Sequence, residues 1–435
     1  MTTTLRATIP GPAGHPILGM GPAFRRDPLC CMLDGFREYG DLVAYPFGPR
    51  RGPLRRVAVA AYHPDYVHQV LTTTGPAFGR QTVGFSTLAE VLGRGLLTTE
   101  GEVWRRQRRT LQPLFTRRRV AGYTELMCAE AERAVAEGAG GAAVDLHALM
   151  QRYALRVVGR ALFGEDIEEI IGELQPLVPA LSDLVMQRTT QVMRMPLDWP
   201  TLRNRRLSRL RDTEYALVDR ILAERADPAA VSSDDLLSRL YAARDPDTGL
   251  PLSAQEIRDQ VLVFLMAGHE TTAGALTFTL YLLGRDPEIQ EKAAADPELA
   301  RAALLEGMRL YPPAYATERM ALADTEIAGY LVPRGTAVFL SSWVTHRHPV
   351  FWPEPDRFDP QRFLGDQDRP RYAYFPFGGG PRSCIGEHFA LLEATVLLQA
   401  LLSRYRVVAL DAELPVAPLV TLRPAAPVRA RLSPR

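Results

Sequence analysis

The segment 253–285 constrains the fold most, because it predicts one unusually long and apolar helix. Ser253 and Glu256 match the S-x-x-E capping box that begins a helix, and Arg285-Asp286-Pro287 ends the apolar run. At about 1.5 Å per residue, this helix would be roughly 46 Å long, which exceeds the usual helix of a globular protein. Because apolar residues cover most of its faces, we expect it to run through the core of a large domain.

Polar and helix-weakening residues interrupt this helix near its middle, in the run GHETT at 268–272. Threonine and glycine lower helix propensity, and an ionisable pair is costly to bury. A packed polar kink is the plain interpretation, but a local conflict inside a core element is also typical of a functional site. A zinc-protease motif is excluded, since H-E-x-x-H requires histidine at the position of Ala273.

A second unusual stretch is FPFGGGPRSCIGEH at 375–388, which surrounds the lone cysteine Cys384. A free cysteine taken alone is usually a buried structural thiol. Here a helix predicted over 387–404 and the neighbouring Arg382 both favour a thiolate. The glycines that flank the cysteine let the backbone approach something large and flat. This combination fits a heme, whose iron accepts a thiolate and whose propionates accept an arginine.

The rest of the pattern predicts further helices and a few strands. Helices are expected over most of 104–240 and from Asp296-Pro297 to Pro312, and strands over 55–62 and 325–340. We expect residues 1–50 to form an irregular surface arm and 72–102 a long loop. The 435 residues, 46% of them hydrophobic, suffice for one large domain or two. No repeat or linker marks a boundary.

Charge and cysteine content narrow the function classes. The formal net charge is +1, which gives no argument for binding nucleic acid or a membrane. The four cysteines form no C-x-x-C pair, so a disulfide framework is not expected and a reducing compartment is favoured. The sequence shows neither a secretory leader pattern nor an apolar run of about 18 residues that would span a membrane. We therefore expect a cytoplasmic protein with no membrane anchor.

These stretches together resemble the cytochrome P450 family of heme-thiolate monooxygenases. Matching motifs follow in the family's order along almost the whole chain, and AGHETT at 267–272 matches the oxygen-activation motif [AG]Gx[DE]T. The signature FxxGxRxCxG is matched by Phe377, Gly380, Arg382, Cys384 and Gly386. The resemblance implies a mainly α fold with small β-sheets in one large domain, 1–435. It also implies heme b (iron protoporphyrin IX) with Cys384 as the iron ligand.

The resemblance assigns roles within the long helix and after it. Glu270 and Thr271 become an acid–alcohol pair that relays protons to dioxygen, and Ala267 leaves room beside it. Glu306 and Arg309 match the family's ExxR motif, which alone could be an exposed helix salt bridge of little value. The family pattern makes them a buried structural network, closed by Arg362 in PQRF, a variant of the family's usual PERF.

Heme contacts beyond the cysteine loop are also implied by the resemblance. Trp104 and Arg108 of WRRQRR match the family's WxxxR and lie four residues apart, on one helix face. They are assigned to a heme propionate, as is Arg382, with Arg319 and His346 as further candidates. The remaining arginines near this helix could be an exposed basic face, or could steer an acidic electron-transfer protein.

Substrate contacts are expected from four regions that are poor in acids, which favours an apolar small molecule. These regions are 72–98, 180–197, the long helix near Phe264, and the stretch after ExxR. The candidate substrate contacts are Phe78, Phe85, Met193, Phe264, Ala314 and Thr317.

The predicted function is hydroxylation or epoxidation with dioxygen and two electrons, in secondary metabolism, on a terpenoid, polyketide or fatty-acid-like substrate. The sequence contains no G-x-G-x-x-G fingerprint and no C-x₄-C cluster pattern. Electrons are therefore expected from a separate ferredoxin, or a flavodoxin, and its NAD(P)H-dependent reductase. Two alternatives remain: a heme-thiolate isomerase or dehydratase of the same fold, and a non-catalytic heme-binding sensor. Glu270-Thr271 argues against the isomerase.

Overall fold

The computed structural model describes residues 8–52, 55–164, 168–191, 194–224, 235–365 and 368–435. Within these ranges the chain is mainly helical, with short strands in small sheets. The helices are α1 Gly21–Arg26, α2 Pro28–Tyr39, α3 Pro64–His68, α4 Val83–Leu92, α5 Gly101–Leu111, α6 Arg117–Ala121, α7 Thr124–Gly138, α8 Leu146–Phe163, α9 Glu168–Thr189, α10 Leu202–Glu224, α11 Leu236–Ala242, α12 Ala254–Arg285, α13 Pro287–Ala295, α14 Pro297–Leu310, α15 Ser342–Thr345 and α16 Glu387–Leu402. The strands are β1 Leu42–Phe47, β2 Arg56–Ala61, β3 Phe78–Gly79, β4 Ala143–Asp145, β5 Thr317–Ala321, β6 Thr325–Ile327, β7 Tyr330–Val332, β8 Ala337–Leu340, β9 Tyr405–Ala409, β10 Val416–Pro418, β11 Leu422–Pro424 and β12 Arg429–Pro434.

The predicted long helix is present as α12, which has 32 residues. It begins at the predicted capping box, where Ser253 accepts from the Glu256 N–H and the Glu256 side chain accepts from the Ser253 N–H. α12 packs against α8, α14 and α16. It is long and apolar enough to cross a membrane, but 78% of its most apolar window is buried inside the protein. It is therefore explained as a core helix.

Two apolar clusters meet along α12. Val261–Leu265 belong to a cluster formed with α4, α9 and α10, whereas residues 273–283 pack with α7, α14 and α16. The polar run 268–272 lies between these clusters. The tertiary structure thus places the helix-weakening residues where neither apolar cluster depends on them.

The largest sheet has five strands in the order β1-β2-β8-β5-β3. β2 and β8 pair in parallel, and the other neighbours are antiparallel. The remaining strands form small sheets in the orders β4-β12-β9, β6-β7 and β10-β11. The strands predicted at 55–62 and 325–340 are confirmed, as is the mainly α fold with small sheets.

Two segments predicted to be irregular contain regular structure. Residues 21–47 form α1, α2 and β1 instead of an irregular arm. Pro28 stands in the first turn of α2, where its missing N–H costs nothing, and Asp27 caps the helix by accepting from the Cys30 N–H. Residues 72–102 contain β3 and α4, and Thr82 caps α4 by accepting from the Phe85 N–H. Proline, glycine and threonine in these segments begin elements as well as separating them.

Candidate active site

A cavity lies against the middle of α12 and is closed by the cysteine loop, α4, α9 and β5. Apolar side chains, with leucine, phenylalanine and alanine the most frequent, form most of its wall. Cys384 lies on one side of the cavity, and Ala267, Glu270 and Thr271 line it from α12. The fold thus brings together two motifs that are more than a hundred residues apart in sequence.

The cysteine loop owes its path to two glycines in the left-handed region. Gly378 has φ 69° and Gly380 has φ 64°, a conformation that other residues rarely adopt. A Cβ at Gly380 would also lie 2.1 Å from the carbonyl oxygen of Leu71. The Cys384 N–H donates to the Phe377 oxygen over 2.9 Å, which closes the loop just before α16 begins.

The environment of the Cys384 thiol is mixed. The cysteine is exposed to the cavity while protein encloses it on its other sides. Burial raises the pKa of the thiol; backbone N–H groups of Gly386 and Glu387 and the charge of Arg108 oppose that rise. Arg108, and not the expected Arg382, is the cation that lowers the pKa of the thiol. Arg382 stacks 3.8 Å from the centre of the Trp104 ring and donates to the Thr99 oxygen.

Four arginines converge at one edge of the cavity: Arg80, Arg108, Arg319 and Arg382. Burial lowers the pKa of all four. The positive charges of the other three lower the pKa of Arg80 further. The pKa values of Arg319 and Arg382 fall to about 10. Such mutual repulsion between buried cations is unfavourable unless anions offset it.

This edge of the cavity fits a ligand with two acid groups. Among the described residues the carboxyls that act on the arginine cluster are Glu100 and Glu318, and burial raises the pKa of Glu318. Arg80 Nε is buried without a hydrogen-bond partner. The cluster therefore has more positive charge than its carboxyls balance and a free donor. The two propionates of heme, together with a thiol that can ligate iron, match this donor set.

His346, one of the predicted propionate contacts, does not lie on the cavity. It is fully buried, and burial holds its pKa well below the usual range, so the ring is neutral. Its Nε2 atom accepts from the Phe375 N–H over 2.9 Å. A neutral ring that already accepts a backbone hydrogen bond anchors the start of the cysteine loop instead of binding an anion.

Glu306 and Arg309 form a fully buried ion pair on α14, with two hydrogen bonds of 2.7 and 2.8 Å. Arg362 Nε lies 3.5 Å from Glu306, so the three predicted members of the network meet. Arg309 also donates to the backbone oxygens of residues 346, 355 and 357. The network therefore ties α14 to the segment that leads into the cysteine loop.

The acid and the alcohol on α12 differ in their surroundings. The Glu270 side chain is buried, and its Oε1 atom has no hydrogen-bond partner. The Thr271 hydroxyl donates to the Ala267 oxygen over 2.8 Å and lies at the cavity wall. His269 is buried and bonds the Leu265 oxygen through Nδ1. A Cβ on Gly268 would meet Val158 at 3.0 Å, so this glycine also allows α8 to pack closely.

The chain matches the family model described as Cytochrome P450 over residues 9–425. The chain belongs to the cytochrome P450 family. It is 35% identical over 415 residues to the cyclooctat-9-en-7-ol 5-monooxygenase of Streptomyces melanosporofaciens, which covers 91% of this chain and 88% of that protein. It is 33% identical over 457 residues to the pentalenene oxygenase of Streptomyces avermitilis, and this match covers 100% of this chain and 98% of that protein.

These matches establish the class of activity of this P450. It is a heme-thiolate monooxygenase that uses heme iron, dioxygen and electrons from a redox partner. The predicted fold, enzyme class and cofactor iron are thus confirmed. When bound, the heme supplies the activation of dioxygen.

The P450 cavity includes most, but not all, of the predicted substrate contacts. Phe85 of α4, Phe264 of α12, and Ala314 and Thr317 near β5 line it. Phe78 does not: it is buried in the core beside the five-stranded sheet, where β3 pairs with β5. As one of only two residues in β3, it is held by the sheet and turned away from the cavity. The predicted contact Met193 lies outside the described residues.

Arg80 is one of the cavity residues that the sequence analysis did not identify. It follows β3 directly, donates to the Leu97 oxygen over 3.0 Å, and stacks 4.6 Å from the centre of the Phe85 ring. Its signal in the sequence is one of two arginines, Arg80 and Arg94, in the segment 72–102, which is otherwise rich in glycine, threonine and apolar residues. That signal is weak, because a lone arginine is usually a solvated surface residue.

Proposed function

We propose that this P450 binds heme b with Cys384 as the iron ligand and the four clustered arginines at its propionates. One observation carries the proposal: a thiol faces the same cavity as an arginine cluster whose charge its own carboxyls do not balance. Trp104 supports Arg382 from below through their stacking contact. Phe377 and Gly386 flank the cysteine and would contact the macrocycle.

We assign proton delivery to Glu270 and Thr271. A buried carboxyl with an unpartnered oxygen can take up a proton and release it to a nearby acceptor. The Thr271 hydroxyl can accept one hydrogen bond while it donates another, so it can pass a proton into the cavity. Ala267 presents only a methyl group beside this hydroxyl, which leaves space for a small molecule.

We propose a terpenoid as the substrate, which the chain hydroxylates or epoxidises in secondary metabolism. The cavity wall is mainly apolar, and the polar groups that it contains are few and localised. Two relatives are named for the compounds that they oxidise, cyclooctat-9-en-7-ol and pentalenene. An apolar wall would also accept a polyketide or a fatty-acid-like compound. Neither of these two relatives is named for such a compound, so their names favour a terpenoid.

We propose that an acidic ferredoxin, with its NAD(P)H-dependent reductase, supplies the electrons. Arg117, Arg118 and Arg119 of α6 are exposed, and α6 packs against α16, the helix that follows Cys384. This places a positive surface on the thiol side of the cavity, where electrons must enter. Replacing the three arginines by glutamate should slow reduction by ferredoxin, and added salt should slow the unmodified protein. Faster reduction by a flavodoxin would point to that donor instead.

We place the protein in the cytoplasm. All four cysteines are free, which suits a reducing compartment. Fractionation of producing cells tests this, and recovery with the membrane fraction would refute it.

The heme-thiolate proposal is tested by the spectrum of the reduced protein with carbon monoxide. The protein should show the red-shifted band of a thiolate-ligated heme, and Cys384→Ser should abolish it. Cys128→Ser is the matched control, because Cys128 is exposed on α7 and does not line the cavity. A folded, unmodified protein that lacks the band, or a Cys384→Ser variant that keeps it, would refute the proposal.

Oxygen uptake separates the monooxygenase from the two alternatives. Electron-dependent uptake that rises with substrate excludes both an isomerase, which needs no external electrons, and a sensor. Thr271→Ala should keep the heme but divert electrons from product to peroxide, because the hydroxyl no longer passes protons. Thr279→Ala is the control, since Thr279 bonds the Ala275 oxygen on α12 and does not itself line the cavity. Unchanged coupling in Thr271→Ala would remove its proton role.

A further inference from the structure

The hydroxyl of Ser182 on α9 is a polar group in the cavity wall. Neither heme binding nor proton delivery, as proposed above, involves it. Ser182 lines the cavity and is only 3% exposed. Its side chain makes no hydrogen bond to any described residue. A ligand that covered this hydroxyl without bonding it would leave it unpaired, which is unfavourable by roughly 1–3 kcal/mol. The position therefore needs an explanation that ordinary packing does not supply.

Other hydroxyls in these helices avoid this penalty by bonding to their own backbone. Thr189 on the same helix donates to the Val185 oxygen over 2.9 Å. Thr271 and Thr279 on α12 do the same with the oxygens four residues earlier. Serine can form this bond as readily as threonine. Ser182 does not form it, so its hydroxyl is left for a partner in the cavity.

Thr421 is a second hydroxyl of this kind, in the turn between β10 and β11. It lines the cavity, and its Oγ1 atom is buried without a partner. The turn is firmly held: the Leu422 N–H donates to the Pro313 oxygen over 2.8 Å, and the Tyr315 hydroxyl donates to the Leu419 oxygen over 2.9 Å. The hydroxyl is thus positioned by a rigid turn next to the wall formed by residues 313 and 314.

The other polar side chains of the cavity already have partners or roles. Thr317 accepts from Arg319 over 3.1 Å, and the arginines and Cys384 belong to the proposed heme site. Glu270 and Thr271 form the acid–alcohol pair. Thr272 donates to the Gly268 oxygen, and Ser383 belongs to the cysteine loop beside Cys384. Ser182 and Thr421 remain, on two elements whose nearby cavity-lining residues, such as Leu181 and Val420, are apolar.

We infer that the natural substrate already carries a hydroxyl or carbonyl oxygen, which Ser182 and Thr421 bind. The inference rests on the proposed monooxygenase function and narrows its substrate class from a hydrocarbon to an oxygenated one. A hydrocarbon that filled this part of the cavity would cover both hydroxyls and leave them unpaired, whereas an alcohol can donate to one and accept from the other. An earlier step that adds oxygen, either a cyclisation quenched by water or a first hydroxylation, must supply this substrate.

Matched compounds that differ only in the oxygen test this inference. Cedrol with cedrane, and cyclododecanol with cyclododecane, are titrated by calorimetry into protein that shows the thiolate band with carbon monoxide. At least one alcohol should bind about 10-fold more tightly than its hydrocarbon. Ser182→Ala should weaken binding of that alcohol about 10-fold and leave the hydrocarbon unchanged or slightly tighter, because no unpaired hydroxyl remains. Thr421→Val, which keeps the side-chain shape, should act in the same direction.

Thr189→Val is the control on the same helix, since Thr189 bonds its own helix and does not line the cavity. It should change neither affinity. The inference is overturned if no alcohol binds more tightly than its hydrocarbon. It is equally overturned if Ser182→Ala weakens both members of a pair alike. Loss of the thiolate band in the unmodified protein would instead count against the proposed function, so the two failures are distinct.

Discussion

Removing Arg309 should damage this protein far more than neutralising its partner Glu306. Arg309 makes two hydrogen bonds to Glu306 and three more to backbone oxygens, over 2.6 to 3.0 Å. Arg309→Met loses all five and leaves a buried carboxylate on which Arg362, the Asp359 N–H and the charge of Arg369 still act. Glu306→Gln leaves the guanidinium surrounded by its three backbone oxygens.

The difference can be estimated from these contacts. Breaking a buried ion pair costs about 3–5 kcal/mol, and each backbone oxygen that loses its donor adds about 1 kcal/mol. Arg309→Met should therefore lose roughly 6–8 kcal/mol, a large part of the roughly 5–15 kcal/mol that stabilises a folded protein. Glu306→Gln should lose only about 3 kcal/mol, because the remaining charge keeps strong acceptors.

Thermal unfolding and the fraction of soluble protein that shows the thiolate band measure this difference. Arg309→Met should yield little soluble heme protein, and Glu306→Gln should yield a heme protein that unfolds at a lower temperature. Arg357→Met is the control, because its side chain is 63% exposed and pairs with Glu354 at the surface. It should change stability by less than about 1 kcal/mol. If Arg309→Met is as stable as Glu306→Gln, the three backbone contacts do not contribute as argued.

Two further predictions concern the cysteine loop and acid sensitivity. Gly380→Ala should abolish the thiolate band, because the added Cβ would overlap the Leu71 oxygen. Gly365→Ala is the control, since Gly365 also has a positive φ of 66° but has open space around it. That variant should lower the free energy of unfolding by only about 1 kcal/mol and keep the band. Burial lowers the pKa of His147 from 6.5 to about 4, so folding favours the neutral ring and protonation favours unfolding. The free energy of unfolding should therefore fall by about 2 kcal/mol more between pH 7 and pH 5 in the unmodified protein than in His147→Asn, and equal slopes in the two proteins would contradict this.

The helices predicted from the sequence are those whose signals are local. The capping box at Ser253, the Asp296-Pro297 start of α14 and the apolar run of α16 depend on neighbours within about one turn. The segments that were predicted wrongly, 1–50 and 72–102, are rich in residues that both separate and begin elements. Which of these happens depends on whether a core is available to cover the new helix, and that is a long-range property.

Within the site, individual contacts also depended on long-range structure that the sequence does not show. His346 was predicted to meet an anion but instead accepts a backbone N–H, because the fold buries its ring beside Phe375. Phe78 was predicted to touch substrate but pairs into the sheet edge with β5. Both residue types suit either role, so their chemistry alone could not choose between the two places.

The sequence by itself determined the family, the long core helix, the cysteine loop and the ExxR network, because each rests on residue types at fixed spacing. Only the tertiary structure decided that Arg80 joins Arg108, Arg319 and Arg382 at one edge of the cavity. It also decided that the Ser182 hydroxyl lines the cavity without a hydrogen bond to any of the residues that the structure describes. Such convergence depends on the distances between elements far apart in the chain, and burial then sets whether a charge or a hydroxyl needs a partner.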